Sequence, residues 1–406
     1  MKFRVLPGFR DFLPEELATR RQIESAWRRA SVCAGFQEID GPVLEPLELL
    51  TAKSGEEITR QLYSFEDKGG RKVALRPEMT PTIARMVAGR AAGLPKPIKW
   101  YCLPETYRYE KPQRGRTRAF NQWNVDLIGS DDPAADAEVM AVAVEALRML
   151  GLHAGDVVLR VNDRRLLRRR LRSIDVGEDD EPEVLALIDK LERDSAAAAR
   201  LEAKLGESRA RTVADWCERM PLDGEDELGA ILEACDDFGI GDFVEPDFAI
   251  VRGLAYYTGP VWEMFDRGKT LRSLAGGGRY DGLIELLGGP DLPAIGFGMG
   301  DVVLGELLKT RGLLPDAEPR VDVVVVPIGA EMQAPARRVV AKLRAQGQSA
   351  EAPFGAPRVA KALRAAQSVG ARRVVLVGPD EWQTGSVKVR DMASGEETVV
   401  PFEDLS

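Results

Sequence analysis

Glu78 and Thr80 stand two residues apart in "ALRPEMTP" (74–81), where a strand-like pattern gives way to a turn. A carboxylate and a hydroxyl at a strand exit can hold an ammonium group. The same residues also suit a helix N-terminus with Thr80 as its cap, and the motif alone leaves both readings open. In "ETYRYE" (105–110) Arg108 shares a face with Thr106, opposite Tyr107 and Tyr109. After the basic joint "KPQRGRTRA", the run "FNQWNVDLIG" puts Gln122, Asn124 and Asp126 on one face by its period of two. With Arg108 beside them, they make a sheet floor carrying an arginine, an amide and a carboxylate. Such a floor suits a zwitterion and a phosphate; the plainer alternative is a polar sheet face turned to solvent.

"IVRGLAYYTGPVWE" (250–263) reads as strand, yet Arg252 sits in its apolar part. A guanidinium keeps its charge and is costly to bury unpaired, so Arg252 requires a partner that the stretch itself does not supply. "SLAGGGRYDGL" (273–283) is glycine-dense around Arg279 and Asp281, and "AIGFGMGDVVLGELL" (294–308) alternates glycine along a strand before a helix. Glycines let a ligand approach the backbone closely, and a flat base or sugar could rest on them. Neither stretch has the spacing of a Walker loop or a dinucleotide-binding turn, so a Rossmann reading fails.

The elements that must position these groups fall into three blocks. A chain of 406 residues with 44% apolar content is too long for one core and rich enough for two or three. Residues 15–35 have helical spacing, with Leu17, Ile23, Trp27 and Val32 as the apolar positions. "FQEIDGPVLEPLELL" is a strand broken at Gly41-Pro42 with a second element after Pro46; "KVALRPEMTPTIARMVAG" reads as strand, turn and helix; residues 135–150 form another helix. From Asp163 to Pro246 the chain turns charged, alanine-rich and helical, as an inserted domain would. Its cluster Arg164–Arg172 reads as a solvated helix face, with RNA contact as the alternative. After the linker "PDAEPR" (315–320), strand and helix alternate in a small α/β block that begins with "VDVVVVPIG".

Composition narrows the chemistry. His153 is the only histidine, which excludes a histidine-rich metal site and disfavours a Ser-His-Asp triad; in "LGLHAG" it reads as a loop residue. Cys33, Cys102, Cys217 and Cys235 form no CxxC pair and fit a reducing cytosol rather than a disulfide framework. The N-terminal residues lack a signal-peptide or transit-peptide pattern, and no apolar run has membrane-spanning length, so a cytoplasmic protein is expected. A net charge of −9 means that any RNA would be held by local basic patches.

Taken in order, these motifs resemble the class II aminoacyl-tRNA synthetases, and among them the histidyl-tRNA synthetases, over essentially the whole chain. "LPGFRDFLP" is similar to the family's N-terminal signature and "GFQEIDGPVLEPLELL" to motif 1; "LRPEMTPTIAR" and "ETYRYEKPQRGRTRAFNQWNVDLIG" are similar to motif 2 and its surroundings. "VRGLAYYTGPVWE" and "LAGGGRYDGL" resemble the two histidine-specific motifs, and "IGFGMGDVVL" stands where motif 3 belongs. The resemblance implies an α+β fold: an antiparallel sheet flanked by helices (1–162 and 247–314), a helical insertion (163–246) and a C-terminal anticodon-binding domain (321–406). It implies ATP-dependent formation of histidyl-adenylate, transfer of histidine to tRNA(His), Mg²⁺ accompanying ATP without a protein-built metal site, and a homodimer formed through motif 1.

The resemblance also distributes roles. Arg108 and Arg252 would be catalytic. Glu78, Met79, Thr80, Gln122, Asp126, Tyr256 and Tyr257 would bind histidine, with Asp126 and Tyr257 at the imidazole nitrogens. Arg108, Glu110, Arg116 and Arg279 would bind ATP. Gln113, Arg114 and Arg116 would meet the acceptor end of the tRNA, and Arg358, Lys361 and Arg364 the anticodon stem. Three departures stand out. Asp126 replaces a glutamate and is one methylene shorter, which points to a water-bridged imidazole contact. Ala255 replaces an aspartate beside Arg252. "GMGDVVL" has Asp301 and no motif 3 arginine, so Arg279 or Arg116 would have to take its part. Two other readings of these motifs are a non-catalytic paralogue, such as the regulatory subunit of ATP phosphoribosyltransferase, and a tRNA-binding sensor.

Overall fold

The computed structural model describes residues 3–52, 60–191, 194–219, 227–251, 256–315 and 320–406. They form two units, Met1–Leu314 and Pro315–Ser406.

The first unit is built on a nine-stranded sheet. In spatial order its strands are β1 (Gln37–Glu38), β5 (Ile98–Cys102), β7 (Ala119–Ile128), β12 (Ala294–Gly300), β11 (Ala275–Arg279), β10 (Pro260–Asp266), β8 (Val157–Asp163) and β9 (Val244–Pro246). β6 (Glu105–Tyr107) pairs with the first half of β7. The central pairings are antiparallel; only β1–β5 and β8–β9 at the edges are parallel. The sheet is therefore mixed at its margins. β5 and β6, separated at Leu103-Pro104, both pair with β7. A three-stranded antiparallel sheet of β2 (Leu44–Pro46), β4 (Lys72–Leu75) and β3 (Ser64–Glu66) lies between β1 and β5 in the chain.

One face of the large sheet is covered by the helices Pro14–Cys33 and Pro133–Met149. The two-residue period of β7 sends Trp123, Val125 and Leu127 to that face. There Trp123 stacks on Trp27 at 5.8 Å and its indole N–H donates to Ser31 Oγ at 3.0 Å. Ile23 and Trp27 are buried as their spacing predicts, but Val32 is 57% exposed: it lies on the turn of the helix that faces away from the sheet. The opposite face of β7 carries the candidate site.

Between β8 and β9 the chain forms the helices Arg164–Ser173, Glu181–Ile188, Ala197–Leu205, Glu207–Glu218 and Glu227–Asp237. Leu167, Leu171, Val184, Leu201 and Val213 give most of them a core of their own, which Phe248 and Val251 close from the returning chain. The arginine cluster there is neither simply solvated nor displayed. Arg165 pairs with Asp163 and Glu227, Arg168 with Glu181 and Arg172 with Glu178, while Arg164 donates to the Tyr257 carbonyl at 3.0 Å.

The second unit has parallel strands β14 (Ala350–Glu351), β13 (Val323–Pro327) and β15 (Arg373–Val377), then the antiparallel strands β16 (Ser386–Asp391) and β17 (Glu397–Pro401). Val323 and Val325 pack on the helix Gln333–Ala345, Val324 and Val326 on the helix Val359–Ser368. Covering both faces explains the unbroken valine run, because a buried parallel strand has no polar side. The linker residues 316–319 lie outside the described residues.

Candidate active site

A cavity of about 520 Å³ opens on the face of β7 that carries Gln122 and Asn124. Glu78, Thr80, Arg108, Glu110, Arg116, Phe120, Gln122, Asn124, Tyr256 and Tyr257 all line it. Residues 178 apart in the chain thus meet here, Tyr256 donating to Glu78 Oε2 at 3.0 Å. Asn124 and Asp126 are buried, which removes the solvent-facing alternative for this sheet surface. The Thr80 cap reading also fails, because the helix Thr80–Ala88 starts with no side-chain cap and Thr80 turns to the cavity instead.

The glycines explain how polar side chains fit in the middle of a sheet. On β12, Gly296 pairs with Asp126 and Gly298 with Asn124. A Cβ at Gly296 would lie 2.3 Å from Asp126 Oδ1, and one at Gly298 would lie 2.1 Å from Gln122 Nε2. The floor therefore makes room for protein side chains first, and Gly276, Gly296, Gly298 and Gly300 form bare backbone beside them. Gly277 belongs to the other face, where its Cβ would strike Trp262 and Phe297.

Asp126 does not itself line the cavity. Tyr280 does, and its hydroxyl donates to Asp126 Oδ1 at 2.6 Å. Asp126 Oδ2, Asn124 Oδ1 and Gln122 Oε1 are buried and have no hydrogen-bond partner among the described residues. Burial pushes the Asp126 carboxyl up to about 7, against the lowering effect of the Tyr280 hydrogen bond and with nearby Glu78 adding to the rise. Asp126 thus reaches the cavity wall through the Tyr280 hydroxyl. Sequence reasoning passed over Tyr280 because "GRYDGL" drew attention to Arg279.

Two assignments are corrected. Arg279 is 3% exposed and turns away from the cavity. By period two it shares the helix-side face of Gly277, where it makes paired hydrogen bonds with Asp136 and donates to the Ser130 carbonyl at 3.0 Å. Its guanidinium is taken up there by Asp136 and Ser130, and Arg279 is not among the residues lining the cavity. Met79 is wholly buried with Ile83, Trp100 and Tyr256, its sulfur 3.6 Å from Arg76; it packs beneath the site without lining it.

The arginines of the cavity, unlike Glu78, Asn124 and the tyrosines, are not buried. Arg108 donates from Nε to the Pro77 carbonyl at 3.0 Å and lies 5.4 Å over the Phe120 ring, leaving its terminal nitrogens for a ligand. Arg116 pairs with Glu110. The joint between β6 and β7 is a compact turn: Gln113 and Arg116 exchange backbone hydrogen bonds, Gly115 has φ +74°, and Arg114 meets Glu306 at 3.4 Å. Gln113 and Arg114 are exposed at its tip. The cavity wall also contains Arg272 and Glu263, neither of which was read from the sequence. Asp301 is used structurally. Its carboxylate accepts from Arg10 at 2.8 Å and from the Asn121 N–H at 3.0 Å, tying the N-terminal segment to β7.

Comparison with known proteins decides what this arrangement belongs to. A histidyl-tRNA synthetase family model matches residues 8–300, and an anticodon-binding-domain model matches residues 322–406. The chain belongs to the histidyl-tRNA synthetase family. A histidine–tRNA ligase of Opitutus terrae is 43% identical over 99% of this chain and 97% of its own length. A chloroplastic/mitochondrial histidine–tRNA ligase of Arabidopsis thaliana is 39% identical over 98% of this chain and 85% of its own. The crystal structure of a histidyl-tRNA synthetase from Nostoc sp. PCC 7120 superposes with a TM-score of 0.83 at 26% identity, covering 100% of this chain and 99% of the other.

With the family shown, the class II synthetase fold and the C-terminal anticodon-binding domain stand as expected. Arg252 and Ala255 lie outside the described residues. Arg358, Lys361 and Arg364 are exposed in the second unit, at and along the helix Val359–Ser368 whose Ala362 and Ala366 are buried.

Proposed function

We propose that this cavity binds histidine with its ammonium group at Glu78, Thr80 and Gln122 and its carboxylate toward Arg108, with ATP entering from the arginine-lined mouth. The protein catalyses ATP-dependent ligation of histidine to tRNA, the activity that its full-length relatives carry in their names. A regulator or sensor without catalysis is set aside by the same similarity. The observation that carries the binding mode is the polarity of the cavity: Glu78, Asn124 and three tyrosines are buried in its lining, while Arg108 and Arg116 are part-exposed.

The chemistry follows from that polarity. The histidine carboxylate attacks the α-phosphorus of ATP, and pyrophosphate leaves with the electrons of the broken P–O bond. A terminal ribose hydroxyl of the tRNA then attacks the carbonyl of the adenylate, and AMP leaves. Both steps need alignment and stabilisation of anionic charge rather than a protein nucleophile. Arg108 supplies a planar fork that can grip carboxylate and α-phosphate together. Arg252 supplies the second cation at the reacting phosphate. Tyr256, Tyr257 and Tyr280 form an aromatic box for the imidazole, in which Asp126 orients the Tyr280 hydroxyl. A pocket that hydrogen-bonds both imidazole nitrogens rejects apolar side chains of similar size. Mg²⁺ would accompany ATP and offset the charge of its phosphates.

The division of the chain follows the same reading: residues 1–162 and 247–314 for catalysis, 163–246 as a helical insertion whose last residues return to the large sheet as β9, and 321–406 for the anticodon. Gln113, Arg114 and Arg116 meet the acceptor end, and Arg358, Lys361 and Arg364 the anticodon stem. A homodimer is favoured by the exposed apolar residues Val43, Leu44 and Phe65 on and beside the three-stranded sheet. A cytoplasmic location suits the four free cysteines; no helix among the described residues is long and apolar enough to cross a membrane.

Pyrophosphate exchange into ATP tests the binding mode. Histidine alone among the amino acids should support it, and Glu78→Gln should raise the histidine KM with little effect on the ATP KM. Exchange driven equally by other amino acids would overturn the assignment.

A further inference from the structure

We infer that Arg272 supplies the cation that holds the β- and γ-phosphates of ATP, in place of the arginine missing after Gly300. This rests on the proposed ATP site and names a residue within it. A triphosphate needs positive charge beyond the α-phosphate. Arg279 is buried against Asp136 on the far side of the sheet. Arg114 is exposed and paired with Glu306, and Arg116 is paired with Glu110. Arg108 is anchored at Pro77 and Phe120, near the amino-acid end.

Arg272 stands where the gap is. An ideal Cβ on Gly115, at the tip of the β6–β7 turn, would lie 3.4 Å from Val303 Cγ2 and 4.0 Å from Arg272 Cδ. Val303 and the Arg272 stem therefore both approach Gly115 at the cavity wall. Val303 is the third residue after Gly300, on the first turn of the helix Asp301–Arg311. Arg272, from a different element, lines the same cavity as that helix start.

The loop that carries Arg272 is built to hold it. Asp266, 2% exposed at the end of β10, accepts from the Thr270 N–H at 3.0 Å, the Thr270 hydroxyl at 2.9 Å and the Leu271 N–H at 2.9 Å. Ser273 donates to the Ala275 carbonyl at 2.8 Å. Both flanks of Arg272 are thus fixed, so its backbone needs no rearrangement to meet an anion.

The test is calorimetric titration of the full chain with a non-hydrolysable ATP analogue and, separately, with histidine. Arg272→Ala and the bulkier Arg272→Gln should both weaken the analogue roughly ten- to a hundredfold, the range for a lost charge-assisted contact, and leave the histidine Kd within twofold. Val303→Arg placed in the Arg272→Ala background should recover most of the loss. Analogue affinity unchanged in both single variants, or equal losses for analogue and histidine, would overturn the inference. A parent protein that lacks histidine-dependent exchange would defeat the proposed function instead, while the analogue Kd still decides the role of Arg272.

Discussion

Gly298→Ala asks whether the glycine floor exists to seat Gln122. The added Cβ would lie 2.1 Å from Gln122 Nε2 and 3.0 Å from its Cδ, while the Gly298 backbone is held in register with Asn124. The atoms struck are the far end of a flexible side chain, so the amide swings away and the fold survives. What is lost is one hydrogen bond from a cavity amide to a charged ligand group. Such bonds are worth about 1.5–3 kcal/mol, roughly a ten- to 150-fold change in kcat/KM for histidine. Pyrophosphate exchange, with histidine varied at saturating ATP, measures it. Gln122→Ala should lose about the same, and the double variant should lose no more than either, since both remove one interaction. Full activity in Gly298→Ala, or losses that add in the double variant, would refute the link between the glycine and the amide.

Three further outcomes follow from the same geometry. Because burial raises Asp126 to about 7, its folded form binds a proton that the unfolded chain has released, so this group's contribution to stability falls as pH rises from about 4 to about 7. Urea unfolding should therefore show Asp126→Asn gaining on the parent across that window, by at most about 4 kcal/mol, and a constant gap would contradict the burial argument. Arg279→Ala leaves Asp136 buried and uncompensated, which should cost about 3–5 kcal/mol of stability in denaturant titrations; ATP affinity in the folded fraction should not change. Arg252→Ala should slow adenylate formation roughly a hundred- to a thousandfold, as loss of one preorganised cation does, with thermal unfolding near that of the parent; a loss below about tenfold would make Arg252 a structural residue.

The floor of the site was legible because β7 obeys a strict period. Trp123, Val125 and Leu127 could face only the helices, so Gln122, Asn124 and Asp126 had to face the other way. Arg279 misled because the same rule was not applied to "AGGGR", where glycines hide which face is which; the Gly277 contacts with Trp262 and Phe297 settle it. Arg272 and Tyr280 were not legible for a related reason. Their roles depend on partners distant in the chain, Val303 and Gly115 for one and Asp126 for the other, and no local pattern encodes those approaches. In the C-terminal unit the alternation of strand and helix was readable from the valine run. β16 and β17 were not read, because half-exposed polar strands such as "SVKVRD" lack that apolar signal.

Aminoacylation is the most direct test of the central claim. The purified chain, supplied with ATP, Mg²⁺, radiolabelled histidine and a tRNA(His) transcript, should transfer label to the tRNA, and Arg108→Ala should abolish that transfer. Unlabelled tRNA(His) under these conditions, from a folded protein that binds both ATP and histidine, would contradict the account.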